Sequence, residues 1–446
     1  TGTFMNGRIF IGEHDHSAGR LGEEAALGLG EALREKGFSV GRLKTGTPAR
    51  VALSSLHLEK MERQDGDEEV VPFSFMHEKL ERPATPCWIT YTNGNTHKII
   101  RDNIHRSPLY GGKIVGKGPR YCPSIEDKVM RFPERARHQV FVEPEGLGTQ
   151  EMYLNGMSSS LPEDVQRDFI RSVAGLEDAV IMRPAYAVEY DYLDPIQLKP
   201  SLESKILSNL FVAGQTNGTS GYEEAACQGL IAGINACQKL KGEMPLVLKR
   251  TEAYIGVLID DLVTMGTKEP YRMFTSRAEY RLNLRHDTAD ERLTDRGFAA
   301  GLATEERLGM LKKKLESMES LQDMIRHRGF QGKNALEALK NPEITMDELS
   351  LSIPEINGFP KSTRLQLELK VKYDGYIKRQ DRQVDRFTKL EGIRIPEDFD
   401  YDKIEGISSE SREKLKAVRP GSVGQASRIS GVRTSDITVL LVYLRK

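Results

Sequence analysis

Short apolar runs bounded by glycine and proline punctuate residues 1–190: "GRIFIG", "FSVGRLKTG", "CWITYTN", "HQVFVEPEG" and "AVIMRPAYAVEY". Their length and their β-branched and aromatic content predict strands. "LGEEAALGLGEALREKG" and "NTHKIIRDNIH" carry helical spacing between them. "SLPEDVQRDFIRSV" predicts a helix with Ser160 as N-cap, Pro162 in the first turn and acidic residues following. Strands and helices mixed in this way read as an α/β protein. Residues 205–240 read as one unit: strand "NLFVAG", loop "QTNGTSG", helix "YEEAACQGLIAGINACQKL". From about residue 245 the strand signal thins, and 300–390 is rich in Lys, Glu, Leu and Arg at helical spacing. Residues 396–446 read as short helices joined by glycine turns, which sets a main boundary near 245 and a softer one near 390.

Composition narrows the class. The 446 residues are enough for roughly three domains. With 38% hydrophobic and 29% charged residues the chain reads as soluble and globular. A net charge of -1 gives no global attraction to nucleic acid or to anionic membranes, so such binding must come from local patches. Four cysteines, Cys87, Cys122, Cys227 and Cys237, are too few for a disulfide framework and indicate a reducing compartment. Their spacing offers neither a zinc ribbon nor a flavin-linked dithiol, and no metal site is expected. No apolar run reaches membrane-spanning length, and neither a membrane span nor a signal peptide is expected. The first residues, "TGTFMNGRIFIG", stand already inside a strand-and-turn pattern, which implies residues upstream.

Three stretches carry chemistry. In "LFVAGQTNGTSGYEEAACQGLIAGINA", Gly214, Gly218 and Gly221 let the backbone approach a ligand, and the unpaired first amides of the helix suit an anion or a polarised carbonyl. Ala225, Ala226, Gly229 and Gly233 suit close helix-to-sheet packing; an ordinary tight βα turn is the alternative. In "GGKIVGKGPRYCPSIEDKVMRF", glycines and the cations Lys113, Lys117 and Arg120 precede Cys122, and Ser124, Glu126 and Asp127 open a helix after it. Both features favour thiolate, and a buried, inert cysteine is the alternative. In "KEPYRMFTSRAEYRLNLRHD", Arg277, Arg281 and Arg285 share one face if the stretch is helical. Lys268, Arg272, Tyr271 and Tyr280 accompany them, which suits RNA phosphates and unstacked bases; a solvated face paired with Glu279, Asp287 and Asp290 is the alternative. No strand–GxGxxG–helix unit precedes residue 40.

The stretches "KTGTPAR", "GPRYCPSIEDKVMRF", "NGMSSSLPEDVQ", "RPAYAVEYD", "GQTNGTSGYEEAACQGLIAG", "GTKEPYRMFTSRAEYRL" and "GQASRISGV" together resemble the MnmG (GidA) family of FAD-dependent tRNA uridine 5-carboxymethylaminomethyl modification enzymes, over nearly the whole chain. The resemblance implies an FAD/NAD(P)-binding, two-dinucleotide-binding flavoprotein fold with an inserted NAD-binding domain and an all-α C-terminal domain. It divides the chain into 1–45, tail of a first FAD segment; 46–190, the insert; 191–244, the returning FAD segment; 245–390, a helical domain; and 391–446, a helical tRNA- and partner-binding subdomain. It also implies that about 150 residues bearing the GxGxxG and a second cysteine precede Thr1, and that the chain without them binds FAD poorly.

By the same resemblance Cys122 is catalytic. Gln215 is an FAD contact, to which the helix-start argument adds Asn217, Gly218 and Gly221. Gly118, Pro119, Arg120, Tyr121, Ser124, Glu126 and Lys128 fall in the NAD segment. Arg272, Arg277, Arg281 and Arg285 become candidates for tRNA. The implied cofactors are FAD and NADH, with methylene-tetrahydrofolate as carbon donor. The implied partners are tRNA, an MnmE-like GTPase and a second copy of the chain, in the cytoplasm or an organellar matrix. A flavin- or nicotinamide-linked disulfide reductase and a non-enzymatic RNA-binding module are the rival readings. The first would need two nearby cysteines. The second leaves the glycine loop and the cysteine segment without a purpose.

Overall fold

The computed structural model describes every residue except Glu69, Ala84, Cys122, Arg445 and Lys446 and, for Gln383 and Arg386, the backbone alone. The chain divides into two compact units. One comprises Thr1–Glu69, Glu81–Gly233 and Gly266–Arg272; the other comprises Val70–Leu80, Ile234–Met265 and Met273–Lys446.

The first unit holds ten strands: β1 (Arg8–Ile11), β2 (His14–Ser17), β3 (Val40–Thr47), β4 (Arg50–Ala52), β5 (Glu62–Gln64), β6 (Cys87–Tyr91), β7 (Gln139–Pro144), β8 (Glu151–Asn155), β9 (Ile181–Arg183) and β10 (Tyr186–Leu193). They form a four-stranded sheet in the order β2-β1-β10-β3 and a six-stranded sheet in the order β5-β6-β7-β8-β4-β9. Every named ladder in both sheets is antiparallel. All eight residues of β10 are buried, as a central strand covered on both faces requires. The chain leaves the smaller sheet at Thr47 and re-enters it opposite that residue at Tyr186. Helices α1 (Leu29–Glu35), α2 (Gly94–Asp102), α3 (Ile125–Arg131) and α4 (Glu163–Arg171) lie between strands, and α5 (Tyr222–Lys241) follows β10. The larger sheet packs Val51, Val140, Val142 and Leu154 against Ile100, Ile125, Val129 and Phe169 from α2, α3 and α4. Asn93 starts α2 with a reciprocal capping box to Thr96.

The second unit is helical: α6 (Tyr254–Met265), α7 (Ala289–Ala299), α8 (Glu305–Arg326), α9 (Ala335–Ala338), α10 (Met346–Ser352), α11 (Lys361–Gly392), α12 (Ser409–Val418), α13 (Val423–Arg428) and α14 (Thr434–Leu444). An apolar core from Leu321 and Ile325 through Leu349 and Ile356 to Leu367 joins α8, α10 and α11. Elsewhere in this unit a largely buried ionic knot centres on Arg250 and reaches the surface at Glu279. Arg250 bonds Asp261 at 2.6 Å and Glu279 at 2.8 Å, and Arg428 of α13 bonds Asp260 at 2.7 Å. Charges this buried persist only when paired.

Four local expectations are corrected. Residues 275–285 form no helix: Thr275–Arg277 is a 3₁₀ turn, and Ala278 and Arg285 are extended. The buried residues there are Ala278, Tyr280 and Leu284, a spacing no single helix face provides. "NLFVAG" is no strand but makes one bridge, Glu203 to Phe211. In "LGEEAALGLGEALREKG" only Leu29–Glu35 is helical, because Ala26 pairs with Met5 and Gly28 is left-handed at φ 85°. Finally, Pro162 rather than Ser160 stands at the N-cap of α4. Ser160 is buried instead and donates from both its N–H and its hydroxyl to Glu126 Oε1, each at 2.9 Å.

Candidate functional site

The loop 214–221 begins with the 3₁₀ turn Gly214–Asn217, continues through left-handed Gly218 (φ 80°), and runs into α5. Gln228, two turns into α5 and fully buried, organises it. Its Oε1 accepts from Gly214 N–H at 3.1 Å and from Asn217 Nδ2 at 2.9 Å; its Nε2 donates to Thr219 Oγ1 at 2.9 Å and to the Glu224 carbonyl at 3.1 Å. Two buried oxygens in the loop, Gln215 Oε1 and Asn217 Oδ1, have no hydrogen-bond partner among the described residues. A buried acceptor without a donor is costly, so these two suit N–H or O–H groups of a ligand such as a flavin imide or a ribityl chain. FAD therefore fits what is present. Gly221 is required by a neighbour: a Cβ there would stand 1.7 Å from Glu224 Oε2. The small-residue stripe of α5 does not pack as expected, since nothing stands within 4 Å of a Cβ at Gly229 or Gly233, and Ala226 is exposed.

The second segment leads to α3. Val115 and Gly116 donate their N–H groups to Glu189 Oε1 at 2.8 and 2.6 Å, and Lys44 N–H donates to the Lys117 carbonyl at 2.9 Å. Gly116 and Gly118 thus lie against β3 and β10, and the amides of 115 and 116 are already used. Gly118 and Pro119 follow, half-buried. Arg120 and Tyr121 are exposed, and Arg120 pairs with Glu269 at 3.2 Å. Cys122 lies outside the described residues. Ser124 caps α3, its hydroxyl accepting from Asp127 N–H at 3.4 Å, as the sequence predicts. Glu126 is fully buried on Ser160, and Lys128 Nζ donates to the Gly156 carbonyl at 2.9 Å. Beside α3 a shallow cavity of about 580 Å³ is lined by Tyr91, Pro123, Lys128, Phe132, Arg135, Arg137 and His138, among others. No carboxylate lines it. The Arg137 guanidinium lies 4.1 Å from the Tyr91 ring centre, and the His138 ring meets that of His97 at a tilt, 5.2 Å between centres. Burial lowers the pKa of both histidines, helped by Arg101 for His97 and by His97 for His138.

Two of the remaining cysteines, Cys87 and Cys227, are poor nucleophiles. Burial, with Glu224 adding to it, pushes the Cys227 thiol up to about 11. Burial also raises the Cys87 thiol, aided by Glu143. Cys237 is exposed, on α5 with Cys227.

The four arginines are not brought together on one helix. Arg272 belongs to the first unit and pairs with buried Glu224 at 3.3 Å; Arg277, Arg281 and Arg285 belong to the second. There Arg277 stands 3.8 Å from Asp261, Arg285 grips Asp287 at 2.9 Å over the Tyr373 ring, and Arg281 is exposed. Sequence reasoning missed Gln228, Arg135 and Arg137. Gln228 did carry a signal, as a polar residue among small and apolar ones in a helix.

Residues 1–244 match the family model "Glucose inhibited division protein A". Residues 302–381 and 383–446 match the C-terminal helical domain and the C-terminal helical bundle of the tRNA modifying enzyme MnmG/GidA. The chain belongs to the MnmG/GidA family. It is 53% identical to the tRNA uridine 5-carboxymethylaminomethyl modification enzyme MnmG of Borrelia garinii, covering 99% of this chain and 73% of that protein. It is 52% identical to the MnmG of Treponema denticola, covering 100% and 74%. The fold matches Aquifex aeolicus GidA in its form II crystal with a TM-score of 0.91 at 44% identity, covering all of this chain and 74% of that one. The α/β architecture with a helical C-terminal region is thus the GidA fold, its ladders antiparallel throughout the two main sheets.

Proposed function

We propose that the chain acts in tRNA modification at C5 of the wobble uridine, adding a 5-carboxymethylaminomethyl or aminomethyl group. The observation that carries this reading is the pair of buried, unpartnered oxygens on Gln215 and Asn217, in a loop of a chain whose relatives are named for this chemistry. Gln215, Asn217, Gly218 and Gly221, with the first amides of α5, hold FAD. When bound, the flavin supplies reducing equivalents, renewed by NADH, for joining a one-carbon unit from methylene-tetrahydrofolate to C5. NADH lies along Gly118, Pro119, Arg120, Tyr121, Ser124, Glu126 and Lys128, and the cavity beside α3 supports this, since its cations and rings suit a phosphate-bearing base. Of these residues Arg120 and Tyr121 offer exposed side chains, while Glu126 serves by fixing the segment on Ser160.

C5 of uracil is a weak nucleophile. A Cys122 thiolate adding at C6 makes it enolate-like, and the C–S bond breaks again when the C5 proton leaves. In this reading 46–190 is the NADH-binding insert, 1–45 and 191–244 bind FAD, and 245–390 and 391–446 meet tRNA and partner. Arg281, being exposed, is the readiest phosphate ligand of the four arginines. Family membership supports an MnmE-like GTPase partner, a homodimer and a place in the cytoplasm, or in an organellar matrix for a eukaryotic source. Among the described residues no helix is long and apolar enough to cross a membrane.

The test uses protein expressed from the complete reading frame. It should purify with bound flavin. Cys122→Ser should retain that flavin while modified wobble uridine, measured by mass spectrometry of digested tRNA, falls at least about a hundredfold. A folded but colourless protein, or unchanged modification by the variant, sinks the reading.

A further inference from the structure

Helix α11, 32 residues long, carries nine Lys and Arg against five Asp and Glu, in a chain whose net charge is -1. Its first half turns Thr363, Gln366, Leu367 and Val371 inward. Farther along, Gln380 Nε2 donates to the Glu279 carbonyl at 3.2 Å, Asn283 Nδ2 donates to Asp381 at 3.1 Å, and the Phe387 ring meets that of Tyr280 at 5.8 Å between centres. These contacts fix which side of the helix meets solvent. Gly375, Arg379 and Arg382 stand there at i, i+4 and i+7, all exposed, with Tyr376 57% exposed beside them. Neither arginine forms an ion pair among the described residues. Arg379 lies over the Tyr376 ring, 5.4 Å from its centre, and Arg382 Nε donates to the Lys378 carbonyl of its own helix at 3.3 Å. The neighbouring acids do not offset them: Asp374 is taken by Lys378 at 2.8 Å and Asp381 by Asn283, and Asp385 makes no ion pair among the described residues.

Gly375 serves no packing need. A glycine inside a helix weakens it relative to alanine. Yet no atom stands within 4 Å of the place a Cβ at 375 would take. The missing side chain instead opens the helix backbone to solvent, between a tyrosine ring and two arginines. We propose that this face of α11 is an RNA-binding surface, where a tRNA strand carries its sugar–phosphate backbone across Gly375. The inference deepens the tRNA reading above and rests on it. Arg379 and Arg382 offer guanidinium forks to neighbouring phosphates. The Tyr376 ring suits a ribose or an unstacked base. Segment 279–283 lies beside α11 through the Gln380 and Asn283 bonds, and its exposed Arg281 extends the cationic surface. An acidic protein surface would also satisfy the arginines, but it calls for neither the ring nor the bare backbone. A chain with no net positive charge must concentrate its attraction for RNA in a local patch of this kind.

The test titrates protein from the complete reading frame with a fluorescently labelled tRNA transcript bearing uridine at the wobble position, without added flavin, NADH or folate, at several KCl concentrations. Arg379→Gln with Arg382→Gln should weaken binding at least about tenfold at low salt and flatten the slope of log Kd against log salt by about 1.5, the loss of two phosphate contacts. Gly375→Leu should also weaken binding about tenfold, by blocking the close approach, and leave the slope nearly unchanged. Its melting temperature should hold or rise, because leucine favours a helix more than glycine does. Unaltered affinity and salt slope in the arginine pair, or wild-type affinity in Gly375→Leu, overturns the surface. Variants that keep tRNA but lose an acidic protein partner assign the face to protein and overturn it as well. Wild-type protein that binds no tRNA would sink both this surface and the reading beneath it. Wild-type protein that binds tRNA without modifying it would fail the modification chemistry alone, so the two failures are told apart.

Discussion

Two glycine-rich stretches look alike on paper and differ in the fold. "GGKIVGKGP" brings its backbone against other protein: Glu189 takes the amides of Val115 and Gly116, and an added Cβ at Gly116 would stand 2.8 Å from the Leu43 carbonyl carbon. "GQTNGTSG" is braced from one side by Gln228 and leaves two buried oxygens unpaired. Glycine marks where a backbone comes close to something. Whether that something is protein or ligand depends on which polar groups the protein itself has left without partners.

Glu189→Ala should break the first stretch hardest. It strips partners from two amides and from Arg42, which Glu189 holds at 3.0 Å, and should cost about 3–5 kcal/mol in urea unfolding. Gln228→Leu, of similar size, leaves Gly214 N–H and the Asn217 amide without an acceptor. It should cost about 2–3 kcal/mol and weaken flavin binding in the complete protein at least about tenfold, by fluorescence titration. If Gln228→Leu binds flavin normally, the loop is only a turn and the contrast collapses. Arg135→Gln with Arg137→Gln should weaken NADH binding about fivefold to tenfold, by calorimetry, and leave stability nearly unchanged, because both side chains are exposed. The smallest effect concerns pH. His97 and His138 have folded pKa values below the ordinary 6.5 through burial, so the unfolded chain takes up protons first as pH falls. Their contribution is fully present above about pH 6.5 and is lost progressively as pH falls from there through the lowered folded values. Melting temperature should therefore drop below that pH, and His97→Gln should flatten the drop.

Much of this was legible in the sequence where local rules act alone. The strand "CWITYTN" and helix α3 with Ser124 as its cap follow from alternation and capping. Tertiary demands decided the rest. Residues 275–285 carry helical charge spacing, yet Arg250 reaches in to bond the Arg277 carbonyl and the Glu279 carboxylate, and the chain bends to meet it. Ser160 has the chemistry of a cap but is claimed by Glu126. The loop "GQTNGTSG" was readable as a ligand site because its glycines precede a helix. The seating of Gly266–Arg272 against that loop was not, since no local pattern in "GTKEPYR" tells that Tyr271 pairs with Thr219, 52 positions earlier in the numbering (271 − 219).

The neighbouring placement of β3 and β10 has a further consequence. Thr47 faces Tyr186 at the end of one antiparallel ladder, and just beyond them Arg50 faces Arg183 in a second. Residues 48–185 are therefore strung on a narrow neck of paired strands, so that in topological language the whole six-stranded region is the turn of a hairpin. A gene could gain or lose such a module by exchanging it for a tight turn between Thr47 and Tyr186; the exchange keeps the pairing of β3 with β10 but also removes Val115, Gly116 and Lys117, which bond Glu189 and Lys44 of the smaller sheet.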